Sequence, residues 1–456
     1  MLRLFRVYFS ATVAALLAYE FILIYLCYLG ATCAWLADAE AFLEDDGGWL
    51  RIFIVVFFVV LGIYFHDLYS NLAFSRQLVE KSVVVAGMAF LSEAMLSYLK
   101  LRRLMLPAGP MIAGSALTIS VLVASRWFFR IVLKKMPLEP VLFLGNSPIV
   151  QEIMGRLEEH PEKGLAPLGF LDDSDCSNEK WLGRISDLRQ VVDRLHPRRI
   201  VVGLRERRSI LPVNPLMELK LSGIQVDDAL STYEMVFERI STEELRPSQL
   251  IFSSSSFGPS RTNVRLQCAY SLAIAAMAAV ATAPLMLLVA ALVRLTSPGP
   301  ALLRQKRVGK DNRIFTLYKF RSMVRDAEAQ SGPVWARPND SRVTPVGRWL
   351  RKLRLDELPQ LFNVLKGDMS IVGPRPERPE LVPEPEAEFS YYRQRHCIKP
   401  GITGWAQIKY KYGDTREDTR MKLGYDLYYI KNLSPALDAV IMFQTAKVML
   451  RSRGSQ

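Results

Sequence analysis

The sequence predicts a multi-domain membrane protein with a four-helix transmembrane bundle, a Rossmann-like α/β domain, and a mainly α-helical domain that carries a re-entrant membrane helix. Apolar segments of about twenty residues recur in the first 135 positions. Short apolar runs then alternate with helical patterns, and an uncharged stretch interrupted by a proline follows. A chain of 456 residues is expected to hold two or three domains. We place them at residues 1–135, 136–258 and 259–456.

The overall charge predicts an anionic partner. Half of the residues are hydrophobic, yet the formal net charge is +13. This balance suits a nucleotide, a phosphate or the anionic lipid of an inner membrane leaflet. No nucleic-acid-binding module is recognisable, so we expect no nucleic acid partner. The five cysteines and four histidines are scattered without metal or disulfide spacing, which argues against a site built from them.

The four predicted transmembrane segments are Val7–Ala37, Gly47–Phe65, Ser82–Leu99 and Leu104–Ser125. The first is too long for a cleaved signal peptide, so we expect none. Glu20 and Glu93 lie inside these segments. An intramembrane carboxylate is a functional candidate by default, but we favour hydrogen-bonded glutamates that face the bundle. Basic residues before the first segment and after the fourth predict that both ends face the cytoplasm.

The middle domain shows the pattern of a parallel sheet with helices. Predicted strands lie at Val141–Gly145, Gly169–Leu171, Arg199–Leu204 and Ile224–Asp228, and Ser147-Pro148 opens a helix to about His160. The turn from Gly145 to Val150 lacks the second and third glycines of the dinucleotide fingerprint. We therefore expect a structural, regulatory or assembly domain rather than a dinucleotide site.

The third domain opens with an apolar segment at about 266–293, between Arg265 and Arg294. Pro284 lies near its centre, where proline bends or breaks a helix. Both flanks are basic, which is typical of the cytoplasmic side. The sequence therefore predicts a re-entrant helix–break–helix with Pro284 at its deepest part.

The stretch RKLRLDELPQLFNVLKGDMSIVGPRPE, residues 351–377, places two adjacent carboxylates among basic residues. Asp356 and Glu357 follow Arg351, and Arg375 lies in a stiff Gly-Pro-Arg-Pro turn. Carboxylates bind a divalent cation, and guanidinium groups fork onto phosphate oxygens. Composition alone favours a solvated helix with ordinary surface salt bridges, so that alternative stays open at this point.

The string LDELPQLFNVLKGDMSIVGPRPE resembles the core motif of the bacterial sugar transferases, the polyprenyl-phosphate sugar-1-phosphate transferases. Two other blocks match in family order: SPGPALLRQKRVGKDNRIFTLYKFRSM at 297–323, and KPGITGWAQI at 399–408 with the following YDLYYIKNLS. The chain departs from the family at the membrane segment. Ala283 stands where the family has serine before proline, and Gln267, Cys268 and Ser271 stand where it usually has an acid.

The resemblance implies a reaction in which a UDP-sugar and undecaprenyl phosphate give undecaprenyl-diphospho-sugar and UMP. This is the first membrane step in the assembly of exopolysaccharide, O-antigen or capsule repeats. It implies Asp356 as the nucleophile that forms a phospho-sugar aspartyl intermediate, and Glu357 as the Mg²⁺ ligand. The resemblance favours Lys319 and Arg321 as phosphate-binding residues, and we predict the same role for Arg351, Arg375, Arg304 and Arg348.

We also predict a cellular location and partners. We expect a homodimer in the bacterial inner membrane, with the catalytic domain at the cytoplasmic face and in contact with anionic lipid. We expect glucose or galactose as the sugar.

Two other function classes remain as alternatives. A membrane scaffold or regulator of polysaccharide assembly would be expected to lose the carboxylate pair or its arginines, and all are present. An NAD-dependent sugar-modifying enzyme would need the middle domain to bind dinucleotide, and its incomplete glycine turn argues against this.

Overall fold

The structure is a computed structural model, and it describes residues 2–4, 7–9, 11–66, 76–135, 138–174, 178–204, 210–245, 258–324, 340, 342–410, 413 and 415–450. The chain forms two compact units. The first consists mainly of Phe9–Glu139, and the second mainly of Pro140–His160 with Ala166–Gln456.

The first unit is helical. Two short strands, β1 Leu2–Leu4 and β2 Val7–Phe9, precede its helices, so the first helix begins later than the predicted Val7. The helices are α1 Ala11–Trp35, α2 Ala39–Glu44, α3 Gly48–Phe65, α4 Arg76–Tyr98 and α5 Ala108–Lys135.

Four helical stretches in the described residues are long and apolar enough to cross a membrane, and they indicate a membrane protein. They are Ala15–Trp35, Gly48–Phe65, Ala108–Phe128 and Arg261–Thr296. Three coincide with predicted segments one, two and four. Helix α4, at the predicted third segment, is not among them, because Lys81 and Glu93 lower its hydropathy. The prediction of a third crossing is therefore not confirmed.

Glu20 and Glu93 face the interior of the bundle, as we favoured from the sequence. Glu20 is fully buried and forms an ion pair with Arg126, with 2.5 Å between Oε1 and Nε. Glu93 is buried as well, and its Oε1 accepts a hydrogen bond from the Leu106 amide at 3.1 Å. A buried charge needs such partners, so these contacts account for both residues structurally.

The second unit begins with a five-stranded sheet in the order β5-β4-β3-β6-β7. Its strands are β3 Glu139–Leu144, β4 Leu165–Leu171, β5 Trp181–Gly183, β6 Arg199–Val202 and β7 Gln225–Asp228. The pairs β4–β5, β3–β6 and β6–β7 are parallel. Helices α6 Pro148–Glu159, α7 Leu188–Leu195, α8 Val213–Leu221 and α9 Ala229–Phe237 lie between or after the strands. The four predicted strands are confirmed, whereas three-residue β5 was not predicted.

The remainder of the second unit holds the motif blocks that resemble those of the sugar transferases. The helices are α10 Arg261–Thr296, α11 Pro345–Lys352, α12 Gln360–Lys366, α13 Pro383–Glu388, α14 Trp405–Lys409, α15 Arg416–Asn432 and α16 Pro435–Leu450. The strands are β8 Leu302–Val308, β9 Ile314–Phe320, β10 Ser370–Val372 and β11 Gly401–Thr403.

Helix α10 runs through Pro284 without interruption. Its 36 residues extend over about 54 Å if the axis is straight. One face is buried along the whole helix, at Gln267, Ser271, Ala275, Met286, Val289 and Val293. The opposite face exposes apolar side chains such as Met277, Val280, Leu287 and Leu295. The predicted break at Pro284 is not confirmed, and α10 lies with one side on its own domain.

The segment after the parallel sheet packs on helix α15. The Ile240 amide donates to the Gly424 carbonyl at 3.0 Å, and a Cβ on Gly424 would lie 2.6 Å from the Ile240 oxygen. Lys431 forms an ion pair with Glu234 at 2.7 Å. Because the backbones of Ile240 and Gly424 approach so closely, position 424 requires glycine.

Candidate active site

The two adjacent carboxylates lie in a short 3-10 turn, Leu355–Glu357, between α11 and α12. Arg354 precedes it with φ of 54°, a left-handed conformation that ends α11. Pro359 follows and leads into α12. Asp356 is 9% exposed, and the Glu357 side chain is 12% exposed. The turn therefore places both acids at the edge of the core, where a ligand could reach them.

Two cations from other elements converge on Glu357. The Lys319 ammonium of β9 lies 2.9 Å from Glu357 Oε1, and the Arg375 guanidinium, after β10, lies 3.2 Å from the same oxygen. Burial alone would raise the pKa of Glu357, but the charges of Lys319 and Arg375 hold it well below its usual range. Glu357 is therefore an anion at neutral pH.

Asp356 is in a different electrostatic state from its neighbour. Burial raises the pKa of Asp356, and the negative charge of Glu357 adds to this effect. The charges of Lys319, Arg351 and Arg375 act in the opposite direction. The carboxyl group thus has a pKa above its usual value, among cations that favour its ionised form.

Ser322 positions Arg351. The Arg351 Nε donates to the Ser322 Oγ at 2.9 Å. The Ser322 carbonyl accepts from the Thr344 amide at 3.0 Å, and a Cβ on Gly347 would lie only 1.9 Å from this carbonyl oxygen. The Thr344 side chain caps α11 by accepting from the Gly347 amide at 2.9 Å. The first turn of α11 is thereby fixed on Ser322.

The KPGITG block supports the turn that carries Arg375. The Gly373 amide donates to the Thr403 carbonyl at 2.9 Å, and the Gly401 amide donates to the Pro374 carbonyl at 3.0 Å. Strands β10 and β11 are parallel here. A Cβ on Gly401 would lie 2.1 Å from the Gly373 nitrogen, so the close backbone approach requires glycine.

Buried Arg395 fixes the same turn from its other side. Its Nη2 donates to the Arg375 carbonyl at 3.3 Å, and its guanidinium forms an ion pair with Asp426 at 2.8 Å. Burial raises the pKa of Asp426 to about 6, although the Arg395 charge opposes this. Because Arg395 holds the Arg375 backbone, the Arg375 side chain is directed from a rigid support.

Asn363 connects the two elements that bring Lys319 and Glu357 together. This residue of α12 is fully buried. Its side chain donates to the Thr316 carbonyl at 2.7 Å and accepts from the Tyr318 amide at 3.0 Å. Both partners are on β9, so the strand and the helix after the carboxylate turn are held in register.

Three other predicted phosphate-binding residues form no ion pair or hydrogen bond with the two carboxylates in the described part of the chain. Arg304 pairs across the hairpin with Tyr318, and because strand side chains alternate, it faces away from Lys319. Arg348 is exposed on α11. The Arg321 Nη2 donates to the carbonyl and hydroxyl oxygens of Ser297 at 2.7 and 2.8 Å, so it caps the end of α10. The role predicted for each of these residues stays a prediction.

The sequence analysis missed a buried polar network at the start of α10. The Gln267 amide donates to Asp438 Oδ2 at 2.7 Å and to the Val372 carbonyl at 3.2 Å. The Tyr429 hydroxyl donates to Asp438 Oδ1 at 2.7 Å, and the Tyr270 hydroxyl donates to Oδ2. Partners that lie up to 171 positions apart leave no local signal in the sequence.

At the candidate site, Asp356 and Glu357 are the two adjacent carboxylates that could bind a metal ion. No group of three or more metal-binding side chains occurs in the part of the chain that the structure describes. Mg²⁺ commonly binds through one or two carboxylates together with substrate phosphates and water. Asp356 and Glu357 fit this way of binding Mg²⁺. They do not fit a site in which protein side chains alone surround the ion.

Comparisons with known proteins agree with the resemblance seen in the sequence. The family model described as bacterial sugar transferase matches residues 262–452. The chain is 43% identical over 241 residues to the UDP-N-acetylgalactosamine-undecaprenyl-phosphate N-acetylgalactosaminephosphotransferase of Aeromonas hydrophila. The aligned residues make up 53% of this chain and 56% of that protein. It is 34% identical over 318 residues to the UDP-glucose:undecaprenyl-phosphate glucose-1-phosphate transferase of Klebsiella pneumoniae. This alignment covers 67% of this chain and 66% of that protein.

A shorter relative is covered almost throughout. The exopolysaccharide production protein PSS of Rhizobium leguminosarum bv. phaseoli is 43% identical over 175 residues, which are 36% of this chain and 84% of that protein. The chain therefore spans between about half and two thirds of the two longer relatives and most of the short one. With this match and that of the family model, the chain belongs to the bacterial sugar transferase family.

Proposed function

We propose that the protein transfers a sugar-1-phosphate from a UDP-sugar to undecaprenyl phosphate and releases UMP. One observation carries this proposal: a buried aspartate with a raised pKa lies beside a glutamate that is ionised at neutral pH, among the charges of Lys319, Arg351 and Arg375. Relatives named as undecaprenyl-phosphate sugar phosphotransferases support the substrate classes. The reaction would begin the assembly of a polysaccharide repeat unit.

In the first step, an Asp356 carboxylate oxygen attacks the sugar-proximal phosphorus of the UDP-sugar. The bond from this phosphorus to the bridging oxygen breaks, and UMP leaves with the electron pair. Arg351 and Arg375 stabilise the negative charge on the phosphate oxygens. Because they also favour ionised Asp356, the same cations prepare the nucleophile and the electrophile.

In the second step, a phosphate oxygen of undecaprenyl phosphate attacks the same phosphorus. The bond to the aspartyl oxygen breaks, and the Asp356 carboxylate is regenerated. The end of apolar helix α10 is close to this site, because Arg321 caps it and the adjacent Ser322 holds Arg351. A lipid-bound phosphate can thus approach from the membrane, after the water-soluble substrate has reacted.

A magnesium ion fits Glu357 as its protein ligand, with Asp356 adjacent. When bound, it would neutralise part of the charge of the diphosphate. In the hydrogen bonds described above, Lys319 and Arg375 both donate to Oε1 of Glu357. These two residues hold the carboxylate in place.

We further propose that the catalytic domain lies at the cytoplasmic face of the inner membrane and that α10 is re-entrant. Both ends of α10 are bound to one domain, through Gln267 at its start and through Ser297 after its end. The middle domain has the strand order 3-2-1-4-5 when its strands are numbered from β3, which agrees with a Rossmann-like sheet. We assign it a structural or assembly role, with a homodimer as the expected assembly.

The test uses the full-length protein in membranes, undecaprenyl phosphate, and a panel of UDP-glucose, UDP-galactose and UDP-N-acetylgalactosamine. We expect one donor to give a lipid-linked diphospho-sugar and an equal amount of UMP. With that donor and no acceptor, mass spectrometry of the peptide containing Asp356 should show an added sugar phosphate.

Asp311→Asn serves as the matched control, since Asp311 is an exposed acid on a hairpin turn. It should retain transfer, whereas Asp356→Asn should give neither product nor adduct. Product formation by Asp356→Asn at the wild-type rate would overturn the mechanism, and release of UDP in place of UMP would overturn the reaction.

A further inference from the structure

A second basic site lies at the start of helix α10. A cleft of about 360 Å³ is lined by four cationic side chains: Arg261, Arg265, Lys310 and Lys399. Apolar Val264 and Ile398 line it as well. The cations come from three separate segments, namely α10, the turn between β8 and β9, and the loop before β11. The fold therefore assembles this cluster; it is not a run of neighbours in the sequence.

These four cations lack anionic partners. Within the described part of the chain, none of them forms an ion pair, and no Asp or Glu lines the cleft. Elsewhere in the same unit, cations such as Arg395 and Lys431 are paired with carboxylates. Like charges that converge on one cleft repel each other unless an anion is bound between them. The cleft is thus complementary to a multiply oxygenated anion such as a phosphate group.

The position of the cleft indicates that this phosphate belongs to a lipid. Helix α10 is apolar enough to enter a membrane, and its exposed apolar side chains begin at Leu266, next to Arg265. Cations at such a boundary lie at the level of the lipid headgroups. The apolar wall can contact the glycerol and upper acyl chain, while the cations contact the phosphate.

The cleft is separate from the carboxylate pair. Lys310 precedes β9, whereas Lys319, which contacts Glu357, lies near the other end of that strand. The seven residues of β9 extend over about 23 Å. Along α10, the 28 residues between Arg265 and Arg294 extend over about 42 Å if the axis is straight. A phosphate in the cleft therefore cannot react with Asp356.

We propose that this cleft binds the phosphate headgroup of an anionic bilayer phospholipid, as a site distinct from that of the transfer reaction. The bound lipid fixes the beginning of α10 at the membrane surface. Two lipid phosphates could supply this chemistry, a bilayer phospholipid and the undecaprenyl phosphate acceptor. The distance to Asp356 favours the bilayer phospholipid.

The experiment measures lipid binding to purified full-length protein in detergent by native mass spectrometry. The probes are phosphatidylglycerol, phosphatidylcholine and undecaprenyl phosphate. The test variant is Lys310→Ala with Lys399→Ala. The matched control is Arg194→Ala with Lys220→Ala, which removes two exposed charges from the middle domain. Both variants must elute as wild type does in size-exclusion chromatography.

We expect the test variant to bind phosphatidylglycerol about tenfold more weakly than wild type, since each headgroup contact of a lysine or arginine contributes to affinity. The control should bind as wild type does, and phosphatidylcholine should bind more weakly than phosphatidylglycerol to wild type. Excess undecaprenyl phosphate should leave this phosphatidylglycerol bound. Equal binding by the test variant and wild type, or no preference for phosphatidylglycerol, would overturn the proposal. Displacement one for one by undecaprenyl phosphate would overturn it in favour of an acceptor site.

Discussion

Two buried aspartates near the two ends of α10 have contrasting surroundings. Asp356 is 9% exposed and Asp438 is fully buried, and burial raises the pKa of both. Asp356 is surrounded by the charges of Lys319, Arg351 and Arg375. Asp438 receives hydrogen bonds only from uncharged groups, those of Gln267, Tyr270 and Tyr429. A raised pKa therefore does not by itself distinguish a nucleophile from a structural carboxyl group.

The difference lies in what each site can do with a phosphate. The cations near Asp356 come from β9, α11 and the turn after β10, and they can contact phosphate oxygens as well as the carboxylates. The donors around Asp438 are all used by Asp438 or by the Val372 carbonyl. We infer that Asp356 reacts, whereas Asp438 joins α10 to α15 and α16.

The largest effect is expected for Asp356→Asn. The amide has nearly the shape of the carboxylate but is not a nucleophile, so transfer should fall at least about a thousandfold. Thermal unfolding of the purified variant should stay close to that of wild type. The measurement is lipid-linked product per folded protein. Near-normal turnover in the folded variant would assign the reaction to another group.

Arg351→Ala should have the next largest effect. Removal of the guanidinium should reduce kcat/KM about a hundredfold, because it takes away charge stabilisation of the phosphate. It should also raise the pKa of Asp356 further, since the Arg351 charge lowers it. Ionised Asp356 is required for attack, so the pH below which transfer is lost should move upward.

The pH profile of kcat/KM separates this electrostatic role from simple positioning. Arg351→Lys keeps the charge and loses the hydrogen bond to Ser322, so its acid limb should stay near that of wild type while its rate falls. Lys352→Ala, on the exposed side of the same helix, is the matched control. An unchanged acid limb in Arg351→Ala would mean that Arg351 does not act on the charge of Asp356.

Much of the fold could be predicted from the sequence, because its signals are local. Strands at Val141–Gly145 and Arg199–Leu204 follow from short apolar runs, and β3 and β6 occupy nearly the same residues. The carboxylate pair was recognised from its basic flanks and its resemblance to a family. Helix α4 forms at the predicted third segment, but its polar residues keep it outside the stretches that are apolar enough to cross a membrane, so this crossing stays a prediction.

The features that could not be predicted depend on contacts between residues that are far apart in the sequence. The contact of Ser322 with Arg351 joins residues 29 positions apart, and Asn363 reaches Thr316 across 47 positions. Neither pairing has a periodic pattern. The orientation of Arg304, away from Lys319, depends on the register of the β8–β9 hairpin. From composition and spacing, Arg304 is assigned to the same basic cluster as Lys319. The register of the hairpin instead places the two side chains on opposite faces.

Asp438→Leu should lower stability and leave the chemistry intact. The substitution would remove the closer acceptor of the Tyr429 hydroxyl, leaving only the Val372 carbonyl at 3.4 Å, and would remove one partner of the Gln267 amide. Buried polar groups without partners cost about 1–3 kcal/mol each, so the unfolding temperature should fall by about 5–10 °C. Asp438→Asn keeps the shape and should lose less. Complete inactivity of folded Asp438→Leu would contradict the division between the two aspartates.

The smallest effect is expected for Pro284→Ala. This substitution tests whether the contacts at the two ends of α10 determine the membrane topology of the helix. The helix is continuous through Pro284. Its start is bound to Asp438 and Val372 through Gln267, and the Ser297 carbonyl just after its end is bound to Arg321. Because these partners belong to one domain, both ends should remain on one side of the membrane after the substitution. Only a small fraction of molecules should adopt a spanning form.

The measurement is labelling of a cysteine introduced at exposed Arg393 in a cysteine-free background, from outside intact cells. Wild type should not be labelled, and Pro284→Ala should be labelled at most slightly. Pro284→Ala combined with Arg321→Ala removes the contact at one end and should increase labelling. Strong labelling of Pro284→Ala alone would show that the proline holds the re-entrant path. Labelling of the wild-type chain would contradict the re-entrant proposal, because the site around Asp356 would then face away from a cytoplasmic UDP-sugar.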